Sequence, residues 1–202
     1  MNEFTDKVVL ITGAGRGCGR LLAEAFAQRG ACVAANDISP VNVDELVTQI
    51  TQQGGRAKAY VEDVAKKLGA QLIINQVEDD FGQIDILINH AAVEPHVPLL
   101  EMDEWDWHRV LDVNLTGAFL MTQSVGRVMR ANGGGAIINL LTESGRDESS
   151  EAGFVASMSG LRGFTRQAAR ELSPYNIRVY AVESDRESIV ETIVALLEQE
   201  ER

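Results

Sequence analysis

The sequence predicts a doubly wound α/β fold, a parallel sheet of about six strands covered by helices on both faces. Short apolar runs alternate with longer amphipathic stretches from end to end, the pattern of strands joined by crossover helices. The first run, Val8–Ile11, passes directly into a glycine cluster, Thr12-Gly13-Ala14-Gly15-Arg16-Gly17-Cys18-Gly19, and then into a helical stretch. No linker, internal repeat or low-complexity tract interrupts the 202 residues, of which 45% are hydrophobic. One domain with a sizeable core accounts for the chain.

Strands are expected at Val8–Ile11, Cys32–Asn36, Ala57–Val61, Ile84–Asn89, Ala136–Leu140 and Arg178–Val182. Each is a short, mostly apolar run, as strands buried on both faces require. Helices fill the intervals: Gly17–Gln28, Val41–Gln53, Lys66–Phe81, Trp105–Arg130, Phe154–Leu172 and Glu187–Gln199. Ser39 caps the second of these, and Pro40 suits its first turn. Ser184-Asp185-Arg186-Glu187 has capping-box spacing and starts the last helix. Gly133-Gly134-Gly135 marks the turn into the fifth strand.

A strand, glycine turn and helix in succession form a holder for a dinucleotide pyrophosphate. Gly13 permits the tight turn, Gly17 lets the backbone approach the phosphates, and Gly19 lets the new helix pack on the strand. The helix N-terminus offers unpaired N–H groups and the positive end of its dipole to the anion. Asp37 closes the second strand about 20 residues beyond the turn, where a carboxylate accepts hydrogen bonds from the adenosine ribose hydroxyls. That carboxylate repels a 2′-phosphate, so the expected cofactor is NAD rather than NADP. Arg16 in the turn is the opposing sign.

Composition narrows the partners. The formal net charge of −12 and the isoelectric point near 4.7 disfavour nucleic acid and anionic membrane surfaces. No apolar run reaches the roughly 20 residues needed to span a bilayer. Met1–Lys7 is polar and lacks the look of a signal peptide, and Cys18 and Cys32 form no disulfide framework. A cytoplasmic location with no metal site is the expectation, because reduced thiols belong to that compartment.

Several motifs in order give the chain a family resemblance. It resembles a short-chain dehydrogenase/reductase from Lys7 to about Val182. Thr12-Gly13-x-x-x-Gly17-x-Gly19 is similar to that family's glycine motif. Asp63-Val64 resembles its adenine-contacting pair after the third strand. Asn89-His90-Ala91-Ala92 resembles its Asn-Asn-Ala-Gly motif, with the second Asn and the Gly replaced. Asn114, in Val110-Leu-Asp-Val-Asn-Leu-Thr-Gly, matches the family's helix asparagine, and Ile177-Arg178-Val179 its sixth strand. The resemblance implies a Rossmann-type sheet and a cofactor site made of Gly13, Arg16, Gly17, Cys18, Gly19, Asp37, Ile38, Asp63, Val64, Asn89 and Ala91.

The family's catalytic set is a Ser with a Tyr-x-x-x-Lys pair, and here the match fails. Ile137-Ile138-Asn139-Leu140-Leu141-Thr142 puts Thr142 at the serine position. Phe154-Val155-Ala156-Ser157-Met158 lies over Tyr-x-Ala-Ser-Lys, so Phe154 replaces the tyrosine and Met158 the lysine. Hydride transfer at a carbinol carbon needs a proton moved at its oxygen. A tyrosine hydroxyl serves when a nearby cation lowers its pKa from about 10. Phe154 has no exchangeable proton and Met158 no charge. Losing a general acid costs a factor of about 10²–10⁴, leaving Asn114 and Thr142 as remnants of the catalytic set.

The expected function is therefore an NAD(H)-binding protein of this family with impaired or absent catalysis. The alternative is an NAD-dependent alcohol or ketone oxidoreductase with a rearranged site, and a third reading is an interaction protein that binds no nucleotide. His90, Glu94 and His96 are the replacement acids by chemistry, although packing and solvated roles explain them better. The acidic stretch Glu143–Glu151 reads as a solvated loop, and its spacing is not that of a calcium loop. The family's Pro-Gly, substrate lid and last strand have no counterpart after Val182. Their loss would weaken NAD about tenfold or more. Family members often pair through their fifth and sixth helices, here Trp105–Arg130 and Phe154–Leu172. The stripe Phe119, Met121, Val125, Val128, Met129 suits such a homodimer and core packing equally.

Overall fold

A computed structural model of the chain describes residues 3–141, 152–183 and 185–198. Six strands run in chain order: β1 (Val8–Thr12), β2 (Cys32–Asp37), β3 (Arg56–Val61), β4 (Ile86–Asn89), β5 (Gly135–Leu140) and β6 (Ile177–Val182). Every neighbouring pair is parallel, in the spatial order β3-β2-β1-β4-β5-β6. The helices are α1 (Gly17–Gln28), α2 (Pro40–Gln52), α3 (Lys67–Phe81), α4 (Glu104–Leu111), α5 (Ala118–Ala131), α6 (Ala152–Leu172) and α7 (Ile189–Glu198). The fold is thus the doubly wound Rossmann-type sheet that the alternating pattern implies.

Period-two geometry explains the two cores. Val9 and Ile11 of β1 face one side and pack with Leu22, Phe26 of α1, Leu46, Ile50 of α2 and Ile193, Leu197 of α7. Val8 and Leu10 face the other side and pack with Ile73, Val77 of α3, Met121, Val125 and Met129 of α5, and Ala168 of α6. All five residues of β1 are buried, which is why the strand reads as an unbroken apolar run. The strand order reverses between β1 and β4, so the crevice at their carboxyl ends is the topological switch point.

Several boundaries differ from the sequence reading, each for a local reason. The fourth strand begins at Ile86 rather than Ile84, because the Asp85 carboxylate turns back to accept the Val8 N–H (2.8 Å). The long helix expected at Trp105–Arg130 is three segments: α4, a π-helical turn at Asp112–Gly117, and α5. At the π turn Gly117 packs against Val64, whose Cγ2 would stand 3.2 Å from any Cβ placed there. Ser39 caps α2 by accepting the Asn42 N–H, with Pro40 opening the helix. Before α7, the Asp185 carboxylate accepts the N–H groups of Glu187 and Ser188, and the helix starts at Ile189 rather than Glu187. Ser184 and the acidic stretch Glu143–Glu151 lie outside the described residues.

Three residues of the stripe on α5 belong to the core. Met121, Val125 and Met129 are fully buried against the sheet, while Phe119 is 39% exposed and packs edge-on against Phe164. Cys18 and Cys32 are both free thiols. Among the described residues no helix is long and apolar enough to cross a membrane, and no cluster of metal-ligating side chains forms.

Candidate dinucleotide site

The glycine turn is held by atoms distant in sequence. Gly13 and Gly17 have φ of +64° and +60°, a region other residues enter at a cost. At Gly13 a Cβ would stand 2.9 Å from the Ala91 Cα, at Gly15 2.8 Å from an Asp37 carboxylate oxygen, and at Gly19 2.5 Å from the Gly13 carbonyl oxygen. The turn is closed so tightly that only hydrogen fits at these positions. Gly15 did not stand out in the sequence, where Gly13, Gly17 and Gly19 carried the motif; four glycines at alternate positions was the available signal.

Asp37 does two jobs. One carboxylate oxygen accepts the Gly15 N–H (2.9 Å) and the other the Ser39 N–H (2.9 Å). The group is buried, and each oxygen keeps a further lone pair for a ligand hydroxyl. Thr12 fastens the other edge of the turn: its hydroxyl accepts the N–H groups of His90 and Ala91, both at 3.1 Å. Beneath the turn lies the His90 ring. Its Nε2 is 3.3 Å from the Gly19 nitrogen and its Nδ1 3.0 Å from the Gly13 carbonyl oxygen. A backbone N–H only donates and a carbonyl only accepts, so Nδ1 carries the proton and Nε2 is bare. Burial holds the ring's pKa below its ordinary value of about 6.5, against the opposing pull of the Gly13 carbonyl.

The structure gathers Gly13, Arg16, Asp37, Ile38, Asp63, Val64 and Ala91 around one cleft of about 140 Å³ at the switch point. Ile38 is 68% exposed and presents an apolar face to the cleft. Arg109 of α4, Val113 of the π turn and Val93 add to the wall; no sequence motif marked Arg109 or Val93. Gly17 and Cys18 stand at the opening of α1, whose cap residue Arg16 makes no side-chain cap, while the Gly19 N–H in the same turn donates to His90 Nε2. Asn89 borders the neighbouring small cavity with Asn114 and Met158, and its amide donates to Asn139 (2.8 Å) and Thr122 (3.2 Å).

The other end of the crevice is apolar. Phe154 and Met158 are buried and pack with Ala118, Leu141 and Leu161. Asn114, 1% exposed within the π turn, accepts the Val93 N–H (2.8 Å) and donates to the Val93 carbonyl (3.0 Å) and Ser157 Oγ (3.1 Å). Its side chain is committed to positioning the segment after β4. The cavity bordered by Asn114, Met158, Leu161 and Leu140 measures about 10 Å³, room for one water at most. Thr142 lies outside the described residues. His90 has both ring nitrogens engaged, and His96 is an exposed loop residue.

A parallel sheet with a tight glycine turn at its switch point and a carboxylate at the end of β2 defines a dinucleotide-binding α/β protein. Comparison with known proteins gives the family. The short chain dehydrogenase model matches residues 7–188. An uncharacterized oxidoreductase of Thermotoga maritima is 40% identical over 181 residues, which are 89% of this chain and 71% of that protein. Among solved structures, NAD+-bound xylitol dehydrogenase is similar with a TM-score of 0.85 and 32% identity, over 90% of this chain and 70% of its own. A metagenomic short-chain oxidoreductase in complex with NADP is similar with a TM-score of 0.89 and 26% identity, over 96% and 90%. The chain belongs to the short-chain dehydrogenase/reductase family of oxidoreductases, and its cofactor class is a nicotinamide dinucleotide.

Proposed function

We propose that this chain binds NAD(H) through the adenosine half of the cleft and that its hydride chemistry is impaired. The glycine cradle, which has no room for a Cβ at Gly13, Gly15 or Gly19, fits a pyrophosphate laid on the backbone. In this reading Asp37 accepts the adenosine ribose hydroxyls, Ile38, Asp63 and Val64 flank the adenine, and Gly17 to Gly19 face the phosphates. Asp37 also favours NAD over NADP, because a 2′-phosphate would meet a buried carboxylate. Bound NAD supplies a hydride acceptor at its nicotinamide ring. This chain's own residues would have to move the accompanying proton, and the observation that carries the proposal is the Phe154–Met158 cluster. Both side chains are buried and apolar, and the motif resemblance sets them over the family's tyrosine and lysine.

A second reading, an NAD-dependent alcohol or ketone oxidoreductase with a rearranged site, is the one the relatives favour. The similar proteins are named oxidoreductase and dehydrogenase, and nothing in them argues for inactivity. In that reading Asn114 positions the site, Thr142 donates a hydrogen bond, and a further acid acts. One experiment separates the two. Calorimetric titration with NAD, NADH, NADPH and ADP-ribose is combined with turnover on a panel of small secondary alcohols and ketones. NAD(H) and ADP-ribose binding alike, with NADPH weaker and no turnover, supports the first reading. Turnover that co-purifies with the protein, or NADH far tighter than ADP-ribose, supports the second. A homodimer through α5 and α6 belongs to either reading, supported by the exposed Phe119 and Val155 on those helices.

A further inference from the structure

We propose that His90 is a positioning residue of the dinucleotide site: its neutral ring latches the two ends of the glycine turn, and protonation releases the latch, so pyrophosphate binding weakens on the acid side. This inference rests on the dinucleotide reading above. The ring joins Gly13, the first residue of the turn, to Gly19, the third residue of α1, through Nδ1 at 3.0 Å and Nε2 at 3.3 Å. The two glycines also have no room to pack against anything else. A Cβ at Gly19 would stand 2.6 Å from Nδ1, and one at Gly13 3.0 Å from it. The ring therefore sets the height of the backbone on which a pyrophosphate would lie.

One tautomer alone makes both bonds. A second proton on Nε2 would aim an N–H at the Gly19 N–H, and the two donors would have to separate. Protonation also places a positive charge next to the incoming phosphates, which attracts them. The proposal is that the loss of the turn's shape outweighs this, because the binding N–H groups are those of the turn itself. The charged groups facing the ring are Asp37 at the end of β2, which favours its protonation, and Arg16 in the turn, which opposes it. Glu62 and Asp63 after β3 and Arg109 of α4 line the same cleft, and Cys18 of α1 is next to Gly19. Burial weighs most and keeps the ring neutral at pH 7.

The test is calorimetric titration of ADP-ribose and of adenosine between pH 5.5 and 8.5, on the wild type, His90→Asn and His90→Ala. Asn keeps an amide that donates and accepts but cannot titrate, and every other charged group stays in place. Wild-type ADP-ribose affinity is expected to fall several-fold on the acid side, with adenosine nearly unchanged. His90→Asn is expected to bind ADP-ribose at pH 8 within about threefold of wild type, with the acid loss gone. His90→Ala is expected to be weaker at every pH. The Gly19 amide resonance of the ligand-free protein should move with the ring's titration. A flat wild-type profile, or an unchanged slope in His90→Asn, overturns this inference while leaving the dinucleotide reading intact. No ADP-ribose binding at any pH overturns both.

Discussion

The two ends of the crevice are built by opposite physics. At the adenosine end the groups are polar, engaged and spatially overdetermined. Asp37 is held by two N–H groups, Thr12 by two more, and the His90 ring by both its nitrogens. At the catalytic end, Phe154 and Met158 sit in an apolar cluster with Leu141 and Leu161, and the Asn114 amide is spent on the backbone of Val93. A polar site needs a preformed network because each unpaired buried group costs about 1–3 kcal/mol. An apolar cluster needs only volume, so it can replace a catalytic pair without disturbing the sheet. Under the proposed reading, that is how the cofactor holder stays intact beside an apolar Phe154–Met158 pair.

The sharpest way to break this contrast is to rebuild the catalytic pair. Phe154→Tyr with Met158→Lys is expected to raise turnover on a secondary alcohol by about 10²–10⁴, the usual worth of a positioned acid. Met158→Lys alone should instead lower Tm, since it places an unpaired ammonium among buried apolar side chains. A wild type as active as the double variant would move the rearranged-site reading to the front.

The next effect down is at the turn. Gly19→Ala forces a Cβ to 2.5 Å from the Gly13 carbonyl, a backbone atom that cannot swing away. Binding of ADP-ribose is expected to drop by at least about a hundredfold, with a stability loss of about 2 kcal/mol or more, of the kind overpacking produces. Thermal unfolding alongside calorimetry checks both. Retained affinity would mean that the cradle is not the pyrophosphate site.

Asp37→Ala removes a charge-assisted acceptor and leaves the Gly15 and Ser39 N–H groups without their partner. Loss of about 1.5–3 kcal/mol corresponds to roughly ten- to hundredfold weaker NAD, with NADPH reduced less and so relatively favoured. Equal losses for NAD and NADPH would remove Asp37 as the source of cofactor preference. Asn114→Ala should cost about 1–2 kcal/mol of stability, since it removes the partner of the part-buried N–H and C=O of Val93, while ADP-ribose binding stays within a few-fold.

The smallest effect is a pH dependence of folding. His90 is held neutral in the folded state, with its pKa below the ordinary value, so the unfolded chain takes up the proton first as pH falls. Stability should therefore decline from about pH 6.5 downward and stop declining once the folded ring titrates. His90→Asn should flatten that part of the urea-denaturation profile. An unchanged profile would show that the ring is not neutral in the fold.

Much of the adenosine end was legible because its signals are local. Gly13 and Gly17 take positive φ at little cost, and Asp37 follows directly from its own strand. Gly15 was overlooked because its constraint is the Asp37 carboxylate, far away in sequence and brought near only by β1 pairing with β2. The His90 ring reads as an ordinary strand-end residue until β1 and β4 pair in register, Ile11 beside Ile88. Only that register puts the ring beneath Gly13 and Gly19. The π turn at Asp112–Gly117 was illegible because apolar periodicity continues across it, and the extra residue per turn is imposed by packing.

By itself the sequence determined the alternating architecture, the glycine turn and the acidic partner of that turn. Those follow from short-range rules: apolar period, backbone sterics and side-chain chemistry. The tertiary structure alone decided that the His90 ring bonds both ends of the turn, that the Asn89 amide donates to Asn139 and Thr122, and that Asn114 clamps a loop. It also decided that Met121, Val125 and Met129 of the α5 stripe are core while Phe119 is exposed. A side chain's partner depends on which strands lie side by side, and that order is a property of the whole chain's burial rather than of any segment in it.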